Sequence, residues 1–244
     1  MSLFALSDLH LSFFKEKPME VFGDNWKDHF LKIKNNWNSI VSDDDTVIIA
    51  GDVSWALNID EAYPDLEFIS NLKGRKIIFP GNHDYWWSSN SKVRKAFPQL
   101  TFVKNDFAVY ENYALCGSRG WLCPNDTRFT ENDDKLYKRE IIRVRLSIEA
   151  ALKAGYKDNI ILVLHYPPVN DKKEYSEFIK IIEENNIKYV VYGHLHGEDS
   201  FKNIMNGVEN GVKYMLTSAD FVDFSPVKVL WIKNRTFVRF FLTP

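Results

Sequence analysis

Cysteine is scarce: Cys116 and Cys123 are the only two in 244 residues. They could form at most one disulfide, and two reduced thiols in a cytosolic protein is the simpler expectation. Hydrophobic residues make up 45% of the chain and aromatics 15%, enough to bury a core without covalent staples. Long apolar runs are missing too. No stretch approaches the roughly 18 residues that a membrane span requires. Met1 leads almost directly into Leu3-Phe4-Ala5-Leu6 with no basic segment ahead of an apolar one, so no signal peptide is visible. A cytoplasmic protein without a membrane partner is expected. Charge of one sign is not in excess either: the formal net charge is −2. That leaves no global signature for nucleic acid or anionic lipid, although a nuclease could still use a local basic patch. Repeats, low-complexity tracts and Gly/Ser/Pro-rich linkers are absent, and residues 1–244 are expected to form a single domain.

What the sequence does contain is a series of short apolar strands, each running into a polar cluster. Ser2–Ser7 leads into Asp8-Leu9-His10, Thr46–Ala50 into Gly51-Asp52, and Lys76–Pro80 into Gly81-Asn82-His83-Asp84. Later, Asn159–Leu164 meets His165, and Lys188–Tyr192 meets Gly193-His194-Leu195-His196. Uninterrupted runs such as Val47-Ile48-Ile49-Ala50 predict strands buried on both faces, in a largely parallel sheet covered by helices. One helix is expected where Trp26, Phe30, Ile33, Trp37, Ile40 and Val41 keep a helical period. Others are expected from Leu136 to Ala154, stopped by Gly155, and from Tyr175 to Asn186. Phe107–Gly117 reads as hairpin-like. Strands follow at Val212–Thr217, Val227–Ile232 and Thr236–Leu242, with a turn at Lys233-Asn234-Arg235 between the last two. The mixture predicts an α/β fold, a four-layer α/β/β/α sandwich of two mixed sheets flanked by helices.

Five of the six histidines, His10, His83, His165, His194 and His196, fall at or just past a strand end. Only His29 sits inside a helical pattern, where packing is the expected role. Ligands of open α/β sheets bind beyond the carboxyl ends of the strands, so these ends could converge on one site. In an extended chain residues i and i+2 point the same way. Asp8-Leu9-His10 and His194-Leu195-His196 could therefore each aim two side chains at one centre and send a leucine to the core. Glycine before Asp52 and before Asn82 allows a sharp turn or a close approach. Imidazole nitrogens mixed with carboxylate or amide oxygens, and no sulfur, suit Mn, Fe, Zn, Co or Ni better than Ca. Any one of these elements alone is more often a hydrogen-bonding strand end than a ligand. The joint pattern is what carries weight.

The blocks Asp8-x-His10, Gly51-Asp52, Gly81-Asn82-His83-Asp84, His165 and Gly193-His194-x-His196 resemble the five-block signature of the calcineurin-like metallophosphoesterases. The resemblance spans Asp8 to His196 with no ligand position missing. It implies that Asp8, His10, Asp52 and His196 hold one divalent transition-metal ion, with Mn, Fe and Zn foremost. Asp52 would bridge to a second ion held by Asn82, His165 and His194. It also implies in-line attack on phosphorus by a water activated between the ions, with no protein nucleophile. His83 would be the general acid, as an imidazole near its ordinary pKa allows. Asp84 would hold an imidazole in place, or serve as a turn residue.

The substrate is less legible. Protein Ser/Thr phosphatases of this superfamily keep an Asp-Arg pair three and four positions after the bridging Asp, where this chain has Trp55 and Ala56. That argues against a phosphoprotein phosphatase of that kind. Trp55, Trp86, Trp87 and Trp121 crowd the motifs and could form a stacking wall for a nucleobase or another flat group; packing is the alternative for each. Arg119 could supply the phosphate clamp or lie on the surface. The stretch 125–135 could be a lid or an exposed connection. The leading expectation is a phosphomonoesterase or phosphodiesterase acting on a small or nucleotide-like phosphoester. A nuclease of the same fold is the alternative, and a non-catalytic protein-binding scaffold is a more distant one. Neither the physiological substrate nor the oligomeric state can be read from these residues.

Overall fold

A computed structural model describes residues 1–15 and 17–231. The first half alternates strand and helix: β1 (Ser2–Leu6), α1 (His29–Ile40), β2 (Thr46–Ala50), α2 (Ile59–Ser70), β3 (Arg75–Phe79), α3 (Asn90–Ala96) and β4 (Thr101–Phe102). A hairpin follows, β5 (Phe107–Tyr110) and β6 (Tyr113–Ser118), then α4 (Glu131–Lys153), β7 (Ile160–Leu164), α5 (Glu177–Glu184) and β8 (Tyr189–Tyr192). The short α6 (Glu198–Phe201), β9 (Gly207–Glu209), β10 (Val212–Leu216) and β11 (Val227–Trp231) complete the described elements.

Two sheets result, in the orders β11-β1-β2-β3-β4 and β5-β6-β7-β8-β10-β9. The pairings β1 to β2, β2 to β3 and β3 to β4 are parallel, with β11 antiparallel on the outer side of β1. In the second sheet β6, β7, β8 and β10 are parallel, and β5 and β9 are antiparallel edges. The predicted α/β/β/α sandwich of two mixed sheets is observed. Its cause is visible in the apolar runs, which divide by alternate residues. Leu3, Ala5, Ile48, Ala50, Ile77 and Phe79 point inward and meet Leu115, Ile161, Val163, Val191 and Met215 of the second sheet. The intervening Phe4, Leu6, Val47, Ile49 and Ile78 pack outward among Ile33 and Trp37 of α1, Leu66 and Ile69 of α2 and Val93 of α3. Likewise Leu162, Leu164, Val190 and Tyr192 pack outward among Val144 and Ile148 of α4 and Phe178 and Ile182 of α5. The central strands β1, β2, β7 and β8 are therefore buried on both faces.

Some boundaries differ from the sequence expectation. Helix α4 begins at Glu131 rather than Leu136, because Thr130 and Asp133 form a reciprocal cap there that satisfies the first free amides. α1 begins only at His29, Trp26 lying in a separate 3-10 turn. α2 and α3 are additional to the helices expected from the sequence, and α2 carries an internal proline, Pro64, which obscures a helical pattern. After Gly211 the strands do not stay together: β10 lies parallel to β8, whereas β11 crosses to pair with β1. The expected turn Lys233-Asn234-Arg235 and strand Thr236–Leu242 lie outside the described residues. Among the described residues, no helix is long and apolar enough to cross a membrane.

Candidate metal centre

The carboxyl ends of β1, β2 and β3 from one sheet, and of β7, β8 and β10 from the other, meet along one edge of the sandwich. Backbone bonds past the strand ends tie them together. Asp8 N–H donates to Gly51 O at 2.9 Å, Ser7 N–H to Thr217 O at 2.8 Å, and Gly193 N–H to His165 O at 3.0 Å. Two glycines make this approach possible. A β-carbon on Gly81 would collide with the Asp52 carboxylate, and one on Gly193 with the Asp8 carboxylate and Ser7 Oγ. The glycines ahead of the ligand-type residues thus open space for carboxylates that arrive from other strands.

The side chains fall into two groups. Asp8, His10 and His196 each offer a ligand atom within 4.8 Å of the others, and so do Asp52, His165 and His194. Asn82 adjoins the second group, its Oδ1 lying 2.8 Å from His165 Nε2. Asp52 faces both: its Oδ2 is 3.9 Å from His10 Nε2 and 3.3 Å from His165 Nε2. The extended-chain reasoning for these triplets needs correction. Asp8, His10, Asp52 and His194 all have positive φ, at 59°, 44°, 53° and 73°. Left-handed backbone costs a non-glycine residue on the order of 1–3 kcal/mol and concentrates at functional sites. Leu9 is buried as expected, but His194 and His196 turn to different groups rather than to one.

The protons show what the cluster suits. His165 Nδ1 lies 3.0 Å from the Ala50 carbonyl, which can only accept, so Nδ1 carries the hydrogen. The Nε2 lone pair then faces Asn82 Oδ1 and Asp52 Oδ2, both acceptors. His196 Nδ1 likewise donates to Asp220 Oδ1 at 2.9 Å, leaving its Nε2 3.1 Å from His10 Nε2 and 3.4 Å from Asp8 Oδ1. Lone pairs directed at lone pairs in a buried site call for cations between them, and nitrogen with oxygen donors fits divalent transition metals. Without metal, protons fill that need. Burial lowers the His165 and His196 imidazoles, but Asp52 acting on one and Asp220 on the other lift them to about 9 and about 10. Burial opposes ionisation of Asp8 and Asp52, yet His165 foremost holds both well below the usual carboxylate range.

Around this centre lie supports that sequence reasoning missed. Ser7 Oγ and Ser218 Oγ donate to Asp8 Oδ2 at 2.5 and 3.0 Å, and His194 N–H donates to the same carboxylate. Tyr166 packs its ring 3.7 Å from that of His194. Asp220 orients His196 and also accepts from Gly197 N–H at 2.9 Å. No spacing rule links Asp220 to His196; the only signal was an acid just past a strand end. Partners of this kind usually contribute 10–100-fold to metal affinity. Asp220→Ala should weaken metal binding by about that factor, measured by competition with a chelator; unchanged affinity would remove Asp220 from this role.

The remaining expectations separate. His83 is half-buried in the cleft wall, its N–H donating to Asp52 Oδ1 at 2.8 Å. Burial pulls its imidazole below the ordinary value, against the Asp52 charge. Trp55 also lines the cleft, its ring 4.2 Å from that of His83 and 4.7 Å from that of His10. Asp84 holds no imidazole. It accepts from the N–H groups of Gly81, Asp52 and Val53 at 2.8–2.9 Å, fixing the two loops that carry Asp52 and Asn82. Burial, reinforced by Asp52, pushes its carboxyl up to about 6. Trp86 and Trp87 form no stacking wall: both are buried in the core, their indole N–H groups bound to Asp84 and Asn90. Arg119 is not a clamp in the cleft, because Glu140 engages it at 3.5 Å and its guanidinium covers Trp121. Trp121 in turn donates to Asp133 at 2.8 Å and lies outside the cleft. The arginine that does border the cleft is Arg128, in the stretch read as a lid or connection. That stretch is tied down by Asn125 to Glu174 and Thr127 to Asp171, and its second half is the first turn of α4. His29 packs in α1, bonded to Trp26 O at 3.1 Å.

The chain is 25% identical over 190 residues to the Gene 66 protein of Mycobacterium phage L5, covering 78% of this chain and 75% of that one. It shares its fold with phosphopantetheinyl hydrolase from Mycobacterium tuberculosis, at a TM-score of 0.56 and 17% identity over 96% of this chain and 98% of that one. A protein of unknown function from Aquifex aeolicus is similar at a TM-score of 0.50 and 16% identity, over 93% and 95% of the two chains. The model of the calcineurin-like phosphoesterases matches residues 1–198, so the chain belongs to that family of metal-dependent phosphoester hydrolases.

Proposed function

We propose that this chain is a binuclear phosphoesterase that cleaves small or nucleotide-like phosphomonoesters or phosphodiesters. One ion would be held by Asp8, His10, Asp52 and His196, the other by Asp52, Asn82, His165 and His194. The observation that carries this reading is Asp52 Oδ2, which faces one imidazole nitrogen of each group, His10 Nε2 at 3.9 Å and His165 Nε2 at 3.3 Å. Divalent transition-metal ions, when bound, supply Lewis acidity toward phosphate oxygens and a lowered water pKa. The chain's own groups do the rest. Asp84 and the glycines keep the ligand loops in register before substrate arrives, so little reorganisation is needed during reaction. His83, in the cleft wall, donates a proton to the departing oxygen; the negative charge of a bound phosphoester favours its protonated form, opposing the effect of burial. Trp55 packs against His83 and limits its rotation. Arg128 at the cleft edge offers a fork of donors to a non-bridging phosphate oxygen, the task the sequence suggested for Arg119.

A nuclease needs a basic track along the backbone of its substrate. Among the described residues lining the cleft, Arg128 is the one Lys or Arg, which favours a small substrate. The test is hydrolysis of p-nitrophenyl phosphate and bis-p-nitrophenyl phosphate by protein loaded in turn with Mn, Zn and Fe. At least one ester should be cleaved, with activity lost on chelation and restored by metal. Failure with every metal would favour the scaffold reading; a strongly salt-dependent affinity for DNA would favour the nuclease.

A further inference from the structure

Beside the metal cleft lies a second cavity of about 270 Å³, near the lower end of small-molecule sites. It is no separate feature of the surface. Arg128, Leu195 and Ser200 line both the cavity and the cleft, so the two adjoin. Tyr166, whose ring lies against His194, forms part of the wall between them. The interior is apolar, made by Leu122, Pro167, Val169, Leu195, Ile204 and Met205. The walls are pinned. Tyr192 Oη donates to Met205 O at 2.7 Å, Asn203 Nδ2 to Asp171 O at 2.6 Å, and Ser200 Oγ to His196 O at 2.5 Å. The cavity is thereby built before any ligand enters.

Charge is unevenly distributed around it. Arg128 stands at the junction with the cleft, its guanidinium near Asp126 Oδ1 at 3.4 Å. Asp171 and Asp199 also line the cavity, the first hydrogen-bonded by Thr127 and the second paired with Lys202. An anionic group would meet favourable charge where Arg128 borders the cleft. An apolar body inside the cavity would be drawn from water.

We propose that this cavity is the leaving-group subsite, and that it takes the apolar chain of an alcohol esterified to phosphate. The inference rests on the phosphoesterase reading and narrows it to esters with an apolar leaving group. Titration calorimetry of the metal-loaded full-length chain with n-alkylphosphonates from methyl to hexyl tests it without turnover. Transfer of each methylene from water should tighten Kd about fourfold until the cavity is full. Ile204→Trp, which fills the cavity, should flatten that dependence; the unmodified chain alone already decides the matter if the variant does not fold. Affinity independent of chain length, or no binding by any member, overturns the subsite. Hydrolysis of p-nitrophenyl phosphate is scored separately. Loss of the phosphoesterase reading would show as absent turnover with the chain-length dependence intact.

Discussion

Asp52→Asn is expected to lose metal and activity together. The Asp52 carboxylate is buried, and its two oxygens have different tasks. Oδ1 accepts from His83 N–H at 2.8 Å, a bond that an asparagine carbonyl can retain. Oδ2 faces His10 and His165, one from each candidate metal-binding group, and an amide cannot place an anionic oxygen there. Removing the shared negative charge leaves each group with weaker attraction for a cation. Metal content should fall from two ions per chain to one or none. Lewis-acid stabilisation worth several kcal/mol disappears with the ions, so turnover should drop by at least about 10³-fold. Elemental analysis of the purified variant, after equilibration with the activating metal, gives the answer. Two ions still bound would contradict the bridging role even if activity were low.

His83→Ala separates chemistry from metal binding. His83 belongs to neither candidate metal-binding group, and the bond it makes to Asp52 comes from its backbone, which alanine keeps. Both ions should therefore remain. What is lost is an imidazole in the cleft wall beside Trp55, and with it proton transfer to the leaving oxygen. General acids contribute roughly 10²–10⁴-fold. The loss should be largest for an alkyl ester, whose alkoxide must be protonated as it leaves, and smallest for p-nitrophenyl phosphate, whose phenolate leaves readily without a proton. Measuring kcat and KM for both substrates distinguishes this from a positioning role, which would slow both alike. Full activity on the alkyl ester would take His83 out of the mechanism.

These predictions depend on residues that differ in how far they could be read from the linear order. The strands were legible because apolar side chains at every position, as in Val47-Ile48-Ile49-Ala50, require burial on two faces, and only a sandwiched sheet supplies it. The glycines before Asp52 and Asn82 were legible as close-approach positions, although what approaches was not. Position after a strand end marked His10, His83, His165 and His196, because strand direction alone puts such residues at one edge of a parallel sheet. Trp86 and Trp87 misled because an aromatic near a motif has the same local signature whether it turns to the core or to the cleft.

Local periodicity thus established which residues end strands and which faces of those strands are buried. Backbone handedness at Asp8, His10, Asp52 and His194 lay beyond it, since a period-two argument assumes extended chain and these residues are left-handed. Packing of one sheet on the other decided the partnerships of Ser218 with Asp8 across 210 positions and of His10 with His196 across 186. The pairing of β10 beside β8 set Asp220 against His196, and α4 packed on the second sheet gave Arg119 to Glu140. The physical reason is range. Hydrophobic alternation and turn chemistry act between neighbours in the chain, whereas the distance between two strand ends is fixed only when every layer beneath them has packed.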